Sequence, residues 1–553
     1  MDVVSGILGG WFWDNGCKKR GEGVLRRWMM QAAVVGFGVM LLTGPALVAE
    51  ASQAINVGGR KQLFIDHRFI ESPEGIALQP HSADKAEVVL RAVDPDEQWM
   101  LWVSSVLEVD GRFYMFYGTR FNASKVEGEK EIWQVMRLAT SSDGLTWQRV
   151  SVNRFDIGYG LENNIVMVGS WGTVFIDPNE TDGYRFYMLG HLKSNKWWSE
   201  TQFVPTVAKD QKNKKGKLYL CRSKDGVVWE AVKEPVFPFT GDTRYQSLYD
   251  PRIKKYVCYL RSRPGGHGSR SVARGESDHL IGAWPYEPDP YMHRRGAGQR
   301  DWLMTELPLV MQPDEMDPPL FGIYTPNVNV YPWAEDAYIA FPDEYRRRDG
   351  IPSYGRDKRG KPGNEGPLTP GLAVSRDGIG WHRFHTSYVP LGRKGQIDSG
   401  TVYMGVGMIR HADELWQYCT VSPHTHHGFG VSLPGMDGGI RRVVQRLDGF
   451  VSADAGLERG SFRTPAIVFE GNRLELNVDC GSRGEVWVEI QDEKGVPIPG
   501  YTLDDAVSTD LNGVAEEVWW KGGADVGALA GRPVRLRFVM RSACLYAFQF
   551  VEK

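Results

Sequence analysis

The chain has 553 residues and a formal net charge of −3, with 65 basic and 68 acidic residues interspersed along it. Its length allows two or three domains with a sizeable core. The balanced charge excludes the strongly basic surface that nucleic-acid binding requires, so we expect no nucleic-acid partner. Trp is frequent, with 19 residues. Most of them must pack internally, but Trp and Tyr also stack on the apolar faces of sugar rings.

Residues 1–51 have the pattern of an export signal. Arg26 and Arg27 precede an apolar run at 29–42, and small residues at 49–51 offer a cleavage site. The run is too short for a comfortable membrane span. We therefore expect an exported mature protein, periplasmic or extracellular, that is not embedded in a membrane. The part before the two arginines is long for a signal, and either a start codon assigned too early or a real extension accounts for it.

A short motif recurs after apolar strands. Its frame is Ser, one residue, Asp, Gly, two residues and Trp, at 141–147, 223–229 and 375–381, with looser copies at 276–284 and 446–450. Asp-Gly forms a tight turn that the aromatic ring covers. Such self-similarity is typical of radial repetition and predicts a five-bladed β-propeller. The alternative is a sandwich whose unrelated hairpins share the same turn chemistry.

The predicted fold class is therefore all-β, with two domains after the signal. The propeller covers 60–449, and a short strand at 62–67 is expected to close the ring by joining the last blade. Beyond 449 the motif copies stop, while alternating strands separated by turns continue. This pattern predicts a C-terminal β-sandwich at 450–553.

Polar residues placed just before the innermost strands of a propeller converge at one mouth of its channel. Asp242 and Arg244 precede the third blade, Asp398 precedes the fifth, and Glu344 ends the second strand of the fourth. Glycosidic bond cleavage requires two or three carboxylates around one pit. We predict that Asp242, Asp398 and Glu344 supply the acid, the base and an orienting carboxylate, without assigning which is which. Asp66 is an additional candidate.

Other polar residues are candidates for substrate binding, and each has a plain structural alternative as a turn, strand-cap or surface-loop residue. They are Arg244, Asn163, Asn164, His267, Arg270 and His426. The arginines would suit an acidic or sulfated sugar. The histidines at 424–427 lack flanking Cys or carboxylates at ligand spacing, which disfavours a metal site. The cysteines are scattered and indicate buried thiols rather than disulfides. We expect neither a metal nor a redox cofactor.

Several runs together carry a family resemblance. Those at 63–66, 163–166, 375–378, 398–400 and 447–450 resemble secreted bacterial proteins, abundant in planctomycetes, that are classed with the glycoside hydrolase family 32 and family 43 five-bladed propellers. The C-terminal part is similar to that group's sandwich. The resemblance implies a hydrolase that acts on an environmental oligo- or polysaccharide.

The chain departs from that pattern in ways that concern catalysis. The family 32 Asn-Asp-Pro motif is absent, and 94–96 is only a distant echo of it. Many relatives carry two acids where this chain has Asp66 and His67, and a Glu where it has Met100. One alternative is therefore a non-catalytic carbohydrate-binding or scaffolding propeller. A sialidase-like enzyme is another, but it would need six blades and three converging arginines. The oligomeric state stays open.

Overall fold

The computed structural model describes residues 54–93, 97, 101–122, 132–170, 172–191, 217–239, 244–262, 269–286, 307–347, 366–426 and 438–553. Within these ranges the chain consists of β-strands and loops, with 3-10 turns at His67–Phe69 and Gly527–Leu529. The predicted all-β class is confirmed. No helix in the described ranges is long and apolar enough to cross a membrane.

The N-terminal segment contributes five strands. They are β1 (Ile55–Gly58), β2 (Gln62–Leu63), β3 (Glu71–Glu74), β4 (Ile76–Pro80) and β5 (Asp84–Arg91).

The next 23 strands are arranged mainly as antiparallel meanders. The first group is β6 (Trp102–Val109), β7 (Arg112–Asn122), β8 (Ile132–Ser141), β9 (Gln148–Arg149) and β10 (Ile165–Val168). The second is β11 (Val174–Ile176), β12 (Phe186–Gly190), β13 (Leu218–Ser223) and β14 (Trp229–Phe237). The third is β15 (Gln246–Asp250), β16 (Lys255–Ser262), β17 (Ser271–Ser277) and β18 (Leu309–Met311).

The fourth group is β19 (Phe321–Ile323), β20 (Val328–Val330), β21 (Tyr338–Ala340), β22 (Asp343–Arg346), β23 (Leu368–Ser375) and β24 (His382–Ser387). The fifth is β25 (Thr401–Met404), β26 (Ile409–His411), β27 (Glu414–Ser422) and β28 (Gly439–Arg446).

Pairing of these strands gives five four-stranded units within the described ranges. Their orders are β6-β7-β8-β10, β11-β12-β13-β14, β15-β16-β17-β18, β20-β21-β23-β24 and β25-β27-β28-β5. The last unit therefore takes its outermost strand from the N-terminal segment, through antiparallel pairing of β28 with β5. Since β5 lies far from β28 in the sequence, this pairing ties the two ends of the ring together.

The first strands of the five units contact one another side by side. Hydrogen bonds join each to the next: Val174 N to Ser105 Oγ, Thr173 N to Tyr245 O, Val328 N to Gln246 Oε1, Gly407 N to Asn329 Oδ1, and Val106 N to Val406 O. These five inner strands form a closed ring, and buried apolar side chains fill the space between neighbouring units.

The C-terminal strands form two packed sheets. They are β29 (Val451–Ala455), β30 (Gly460–Arg463), β31 (Ile467–Phe469), β32 (Arg473–Asp479), β33 (Glu485–Asp492), β34 (Asn512–Glu517), β35 (Val534–Arg541) and β36 (Ala543–Val551). One sheet has the order β1-β31-β35-β30-β3, with β33 also paired to β35. The other has the order β34-β32-β36-β29-β4, with β2 also paired to β36. The apolar faces of the two sheets enclose one core.

The first four strands belong to this sandwich, which corrects the expectation that residues 62–67 close the ring. Phe64 is fully buried, and its ring centroid lies 5.4 Å from that of Phe462 and 5.6 Å from that of Phe548. Burial of this aromatic ring in the sandwich core outweighs any pairing with the last unit. The sandwich is therefore built from both ends of the described chain, and the ring begins at β5 rather than near residue 60.

The repeated motif forms a turn directly after the third strand in three units, where it joins β8 to β9, β13 to β14 and β23 to β24. In the 223–229 copy, Ser223 Oγ accepts a hydrogen bond from Gly226 N at 2.9 Å, and Asp225 Oδ1 accepts one from Val227 N at 2.8 Å. Trp229 Nε1 donates to Gly226 O at 2.9 Å. The other two copies repeat these contacts. The motif is thus a structural turn, as its chemistry predicts.

Replacement of Gly378 by Ala is expected to destabilise the protein more than replacement of Gly111. Both glycines have a φ of 72°, so both variants incur the left-handed penalty of about 1–2 kcal/mol. A Cβ at Gly378 would lie 2.8 Å from Tyr259 Oη, whereas a Cβ at Gly111 meets no atom within 4 Å. We expect Gly378→Ala to lose about 1–3 kcal/mol more in urea unfolding, because the packed turn has to shift. Equal losses in the two variants would contradict this packing argument.

Candidate active site at the centre of the ring

The Arg244 side chain lies at the centre of the ring and is 4% exposed. Its guanidinium donates to Val103 O at 2.7 Å and to Met404 O at 2.9 Å, which belong to the inner strands of the first and fifth units. It also contacts Asp343 Oδ2 at 3.3 Å. Because Arg244 itself precedes the inner strand of the third unit, one side chain connects several blades at the end where their inner strands begin.

Asp343 is the carboxylate of this central cluster, and it is fully buried. Its Oδ1 accepts a hydrogen bond from Met404 N at 3.1 Å, and its Oδ2 accepts one from Thr325 Oγ1 as well as that from Arg244. Burial raises the pKa of Asp343 to about 6, while the positive charge of Arg244 and these hydrogen bonds oppose the shift. A carboxyl with this pKa can hold a proton in mildly acidic solution.

Aromatic rings and a histidine lie beside the central cluster. Tyr324 N donates to Asp343 O at 2.7 Å, and the Tyr324 ring centroid lies 5.8 Å from that of Tyr403. His426 Nδ1 and the Tyr403 hydroxyl share a hydrogen bond of 2.5 Å. The His426 ring also lies 4.6 Å from the Tyr324 ring and 4.9 Å from the Tyr345 ring. We call these four residues the aromatic cluster.

Two further arginines contact the aromatic cluster. Arg261 donates to Tyr324 O at 2.7 Å, and its guanidinium carbon lies 3.9 Å from the centroid of that ring. The guanidinium carbon of Arg270 lies 5.4 Å from the Tyr324 ring and 5.1 Å from the Tyr345 ring. Arg244 thus contacts the buried carboxylate, while Arg261 and Arg270 lie against the aromatic rings beside it. Of the residues predicted from the sequence, Arg244, Arg270 and His426 come together here.

The predicted carboxylates Asp398 and Glu344 do not meet at this centre. Asp398 forms ion pairs with Lys85 at 2.7 Å and Arg441 at 2.9 Å, both on the outer strands of the last unit. Glu344 forms an ion pair with Arg383 at 3.1 Å, on the outer strand of the fourth unit. Burial raises the pKa of Glu344, and Arg383 opposes that shift. Both carboxylates point away from the ring axis.

Three other predicted residues lie in structural contacts elsewhere. Asp66 is held by Arg376 through hydrogen bonds of 2.9 Å to both of its oxygens. Arg376 belongs to a turn between third and fourth strands, which antiparallel alternation places at the end of the units opposite Asp343. Asn164 is buried and bonds to Arg137 within the first unit. The neighbouring Asn163 side chain donates to backbone carbonyls of its own loop.

The predicted catalytic residue Asp242 and the predicted binding residue His267 lie outside the described residues. Asp343 is the central carboxylate that sequence reasoning passed over in favour of its neighbour Glu344. Strand alternation could have identified it, because residues 343 and 345 share one face, and Tyr345 is an aromatic residue suited to a buried face.

One group of side chains has a donor set that could bind a metal. Ligand atoms of Asp314, Asp317 and His385 all lie within 4.8 Å of one another. Arg383, however, contacts both oxygens of Asp317, at 2.7 and 2.8 Å, and Asp314 at 3.4 Å. The guanidinium already neutralises these carboxylates, so the group fits an ion-pair network better than a metal site.

Comparisons with known proteins give fold-level similarity only. No family model matches this chain, and no curated protein matches it. Among solved structures, a complex of BT0996 with RGII is 11% identical, with 66% of this chain and 92% of the BT0996 structure covered and a TM-score of 0.40. A glycosyl hydrolase from Bacteroides ovatus is 14% identical, with coverage of 70% and 99% and a TM-score of 0.39. A thermostable family 43 glycoside hydrolase is 14% identical, with coverage of 64% and 92% and a TM-score of 0.36. Similarity at this level does not indicate a function, so any inference about function has to come from the contacts of the central cluster.

The free energy of unfolding should depend on pH through the titration of Asp343. Its pKa in the folded protein, about 6, lies above the ordinary value of 3.8. The folded state therefore binds this proton more tightly than the unfolded state does. The associated stabilisation is complete below about pH 4 and is lost as the pH rises through about 6.

We expect the free energy of unfolding of the wild type, relative to Asp343→Asn, to fall by up to about 3 kcal/mol across that pH range. Urea unfolding of both proteins at several pH values measures it. A difference that stays constant with pH would show that the carboxyl titrates normally.

Proposed function

We propose that this protein is a glycoside hydrolase that cleaves carbohydrate at the centre of the ring, at the end where the inner strands begin. The observation that carries the proposal is Asp343, a buried carboxyl with a pKa raised to about 6, next to a cluster of aromatic rings and arginines. Tyr324 and His426, the partly exposed members of the aromatic cluster, offer ring faces on which a sugar stacks. The carboxyl offers a proton close to the pH at which general acids operate.

Glycosidic cleavage needs a proton for the leaving oxygen and a second carboxylate. In this proposal the proton of Asp343 passes to the leaving oxygen as its bond to the anomeric carbon breaks. Asp343 and the Thr325 hydroxyl that donates to it are both buried, so the leaving oxygen has to enter the space beside this pair. Water adds its hydroxyl group to the anomeric carbon, and the second carboxylate accepts the proton that water loses. Asp242 stays the candidate for that carboxylate.

We further propose that the substrate is an acidic or sulfated oligo- or polysaccharide. Arg261 and Arg270 contact the Tyr324 ring. Arg244 lies in the central cluster itself. Guanidinium groups bind carboxylate and sulfate groups through paired hydrogen bonds, so arginines at this position suit a charged sugar. Three converging arginines are also what a sialidase-like enzyme would need. The described strands form five units, however, whereas that alternative needs six.

A second candidate function is carbohydrate binding without catalysis. It is favoured by one specific observation: both carboxylate oxygens of Asp343 already accept hydrogen bonds from the protein. A binding site needs aromatic faces and hydrogen-bond donors, which the central region has, but not two opposed carboxylates. We likewise propose that the protein acts outside the cytoplasm, because of the export pattern at 1–51.

Release of reducing ends from a panel of plant and algal glycans, sulfated ones included, tests the catalytic proposal. We expect Asp343→Asn and Asp242→Asn each to lower kcat at least about a thousandfold, a barrier change of about 4 kcal/mol. The matched control is Asp177→Asn, which alters another buried aspartate of the ring, hydrogen-bonded by Tyr256. It should keep wild-type kcat at temperatures where the variant is folded.

The other outcomes decide between the alternatives. Loss of activity in a folded Asp398→Asn variant, with Asp343→Asn active, would support the carboxylates predicted from the sequence. Full activity of both Asp343→Asn and Asp242→Asn would refute the site. Saturable glycan binding without hydrolysis by the wild type would establish the binding function instead.

Replacement of Arg270 by Gln should reduce the preference for charged substrates. Charge-assisted hydrogen bonds contribute about 1.5–3 kcal/mol each. We therefore expect the ratio of kcat/KM for a carboxylated glycan to that for its methyl ester to fall about tenfold or more. Arg112→Gln is the control, because Arg112 is exposed and begins the second strand of the first unit, at the end of the ring opposite the central cluster. If Arg270→Gln leaves this ratio of kcat/KM values unchanged, Arg270 does not recognise the charge of the substrate.

A further inference from the structure

A cavity lies where the ring meets the sandwich. It has a volume of about 220 Å³ and opens to solvent on one side. Its lining comes from the N-terminal segment, the last ring unit and the sandwich, and consists of Lys61, Arg410, Leu447, Glu475, Asn477, Val514, Ala515, Ala547, Phe548 and Gln549. Arg410 lies on β26, between the first two long strands of its unit, whereas Asp343 follows a second strand. Antiparallel alternation therefore places the cavity at the end of the ring opposite the central cluster.

The cavity exists because short side chains alternate with long polar ones on one face of a sheet. Glu475 pairs with Gln549 across β32 and β36, and Asn477 pairs with Ala547 two positions further on. Residues two apart on a strand share a face, so these four side chains lie together. The methyl groups of Ala547 and the nearby Ala515 leave space between the longer side chains.

Contacts with neighbouring residues hold most of the polar lining in place. Lys61 forms an ion pair with the buried Asp448 at 2.8 Å. Asn477 donates to Leu447 O at 2.7 Å, and Gln549 donates to Gly59 O at 3.0 Å. The lining is therefore preorganised, and oxygen atoms of its amides and carboxylate can accept hydrogen bonds from hydroxyl groups.

Arg410 differs from the other lining residues. Its Nε donates to Ala412 O at 3.0 Å. Among the residues that the structure describes, no carboxylate lies within ion-pair distance of its guanidinium. Glu475, the carboxylate of the lining, is already paired with Lys553 at 2.8 Å. The cavity thus presents one cation that is not neutralised, with donors arranged to grip a carboxylate at two points.

We propose that this cavity binds a small polyhydroxylated carboxylate, the size of a single sugar acid. Arg410 binds the carboxylate group, and Glu475, Asn477 and Gln549 accept hydrogen bonds from ring hydroxyls. The cavity is larger than an inorganic anion requires, and its mixed lining suits a ring with both apolar and hydroxyl-bearing faces. This site is separate from the catalytic proposal and does not depend on it.

Alanine methyl NMR tests the site directly. The protein is labelled at its alanine methyl groups, and the Ala515 and Ala547 signals are assigned by substitution. On titration with D-glucuronate or D-galacturonate we expect saturable shifts of both signals. Neutral D-glucose should bind at least about tenfold more weakly, because it lacks the group that Arg410 recognises. Titration with a galacturonate oligomer then shows whether the cavity prefers a free sugar acid or the end of a chain. Binding of either ligand supports the site.

Two variants and one control make the result specific. Arg410→Gln should weaken sugar-acid binding at these methyl groups at least about tenfold, and Ala515→Leu should abolish it by filling the space. Arg532→Gln, which changes an exposed arginine of the sandwich, should leave it unchanged. No shift at either alanine with any sugar acid, or equal binding by Arg410→Gln, would overturn the proposal. Since the signals come from the cavity itself, either result is independent of hydrolysis at the ring centre.

Discussion

The buried contact between Arg244 and Asp343 is the interaction on which the centre of this protein depends. A guanidinium deprived of water is costly unless it is paired and hydrogen-bonded. Burial lowers the pKa of Arg244, and the charge of Asp343 opposes that change. The arginine also donates to Thr325 Oγ1 and Asn327 Oδ1, and to backbone carbonyls of two inner strands, Val103 O and Met404 O. The charge is therefore satisfied only when the blades are assembled.

The same pair prepares the centre for chemistry. Donors from three segments hold Asp343 in place. Burial raises the pKa of Asp343, although the positively charged Arg244 stays in contact with it. Tyr324 directly precedes Thr325 in the chain, and Tyr345 lies two positions beyond Asp343, so the residues that fix the carboxyl also bring aromatic rings to its border. The contacts of Arg244 and Asp343 thus hold the blades together and also position the carboxyl of the candidate site.

The sandwich and the ring are joined by exchange of chain ends rather than by simple succession. Strands β1 to β4 add to the sandwich sheets, and β5 completes the last unit of the ring. Asp448 lies at the crossing, where it accepts hydrogen bonds from Lys61, Tyr331 and Asn477. The cavity near Arg410 lies at this same junction, so a molecule bound there would contact all three parts of the chain.

The amino-acid sequence by itself determined the features that arise from local contacts. The turn motif is one, because Asp225 and Trp229 bond to groups within a few residues of themselves. The all-β class is another, since it follows from strand patterning and turn residues. Strand alternation separates Asp343 from its neighbour Glu344, but only tertiary structure turned the face of Asp343 toward Arg244 at the axis. It also chose the strand that closes the ring and brought Arg244 to Met404, 160 positions away. Such contacts depend on how blades meet in space, and no local pattern encodes that.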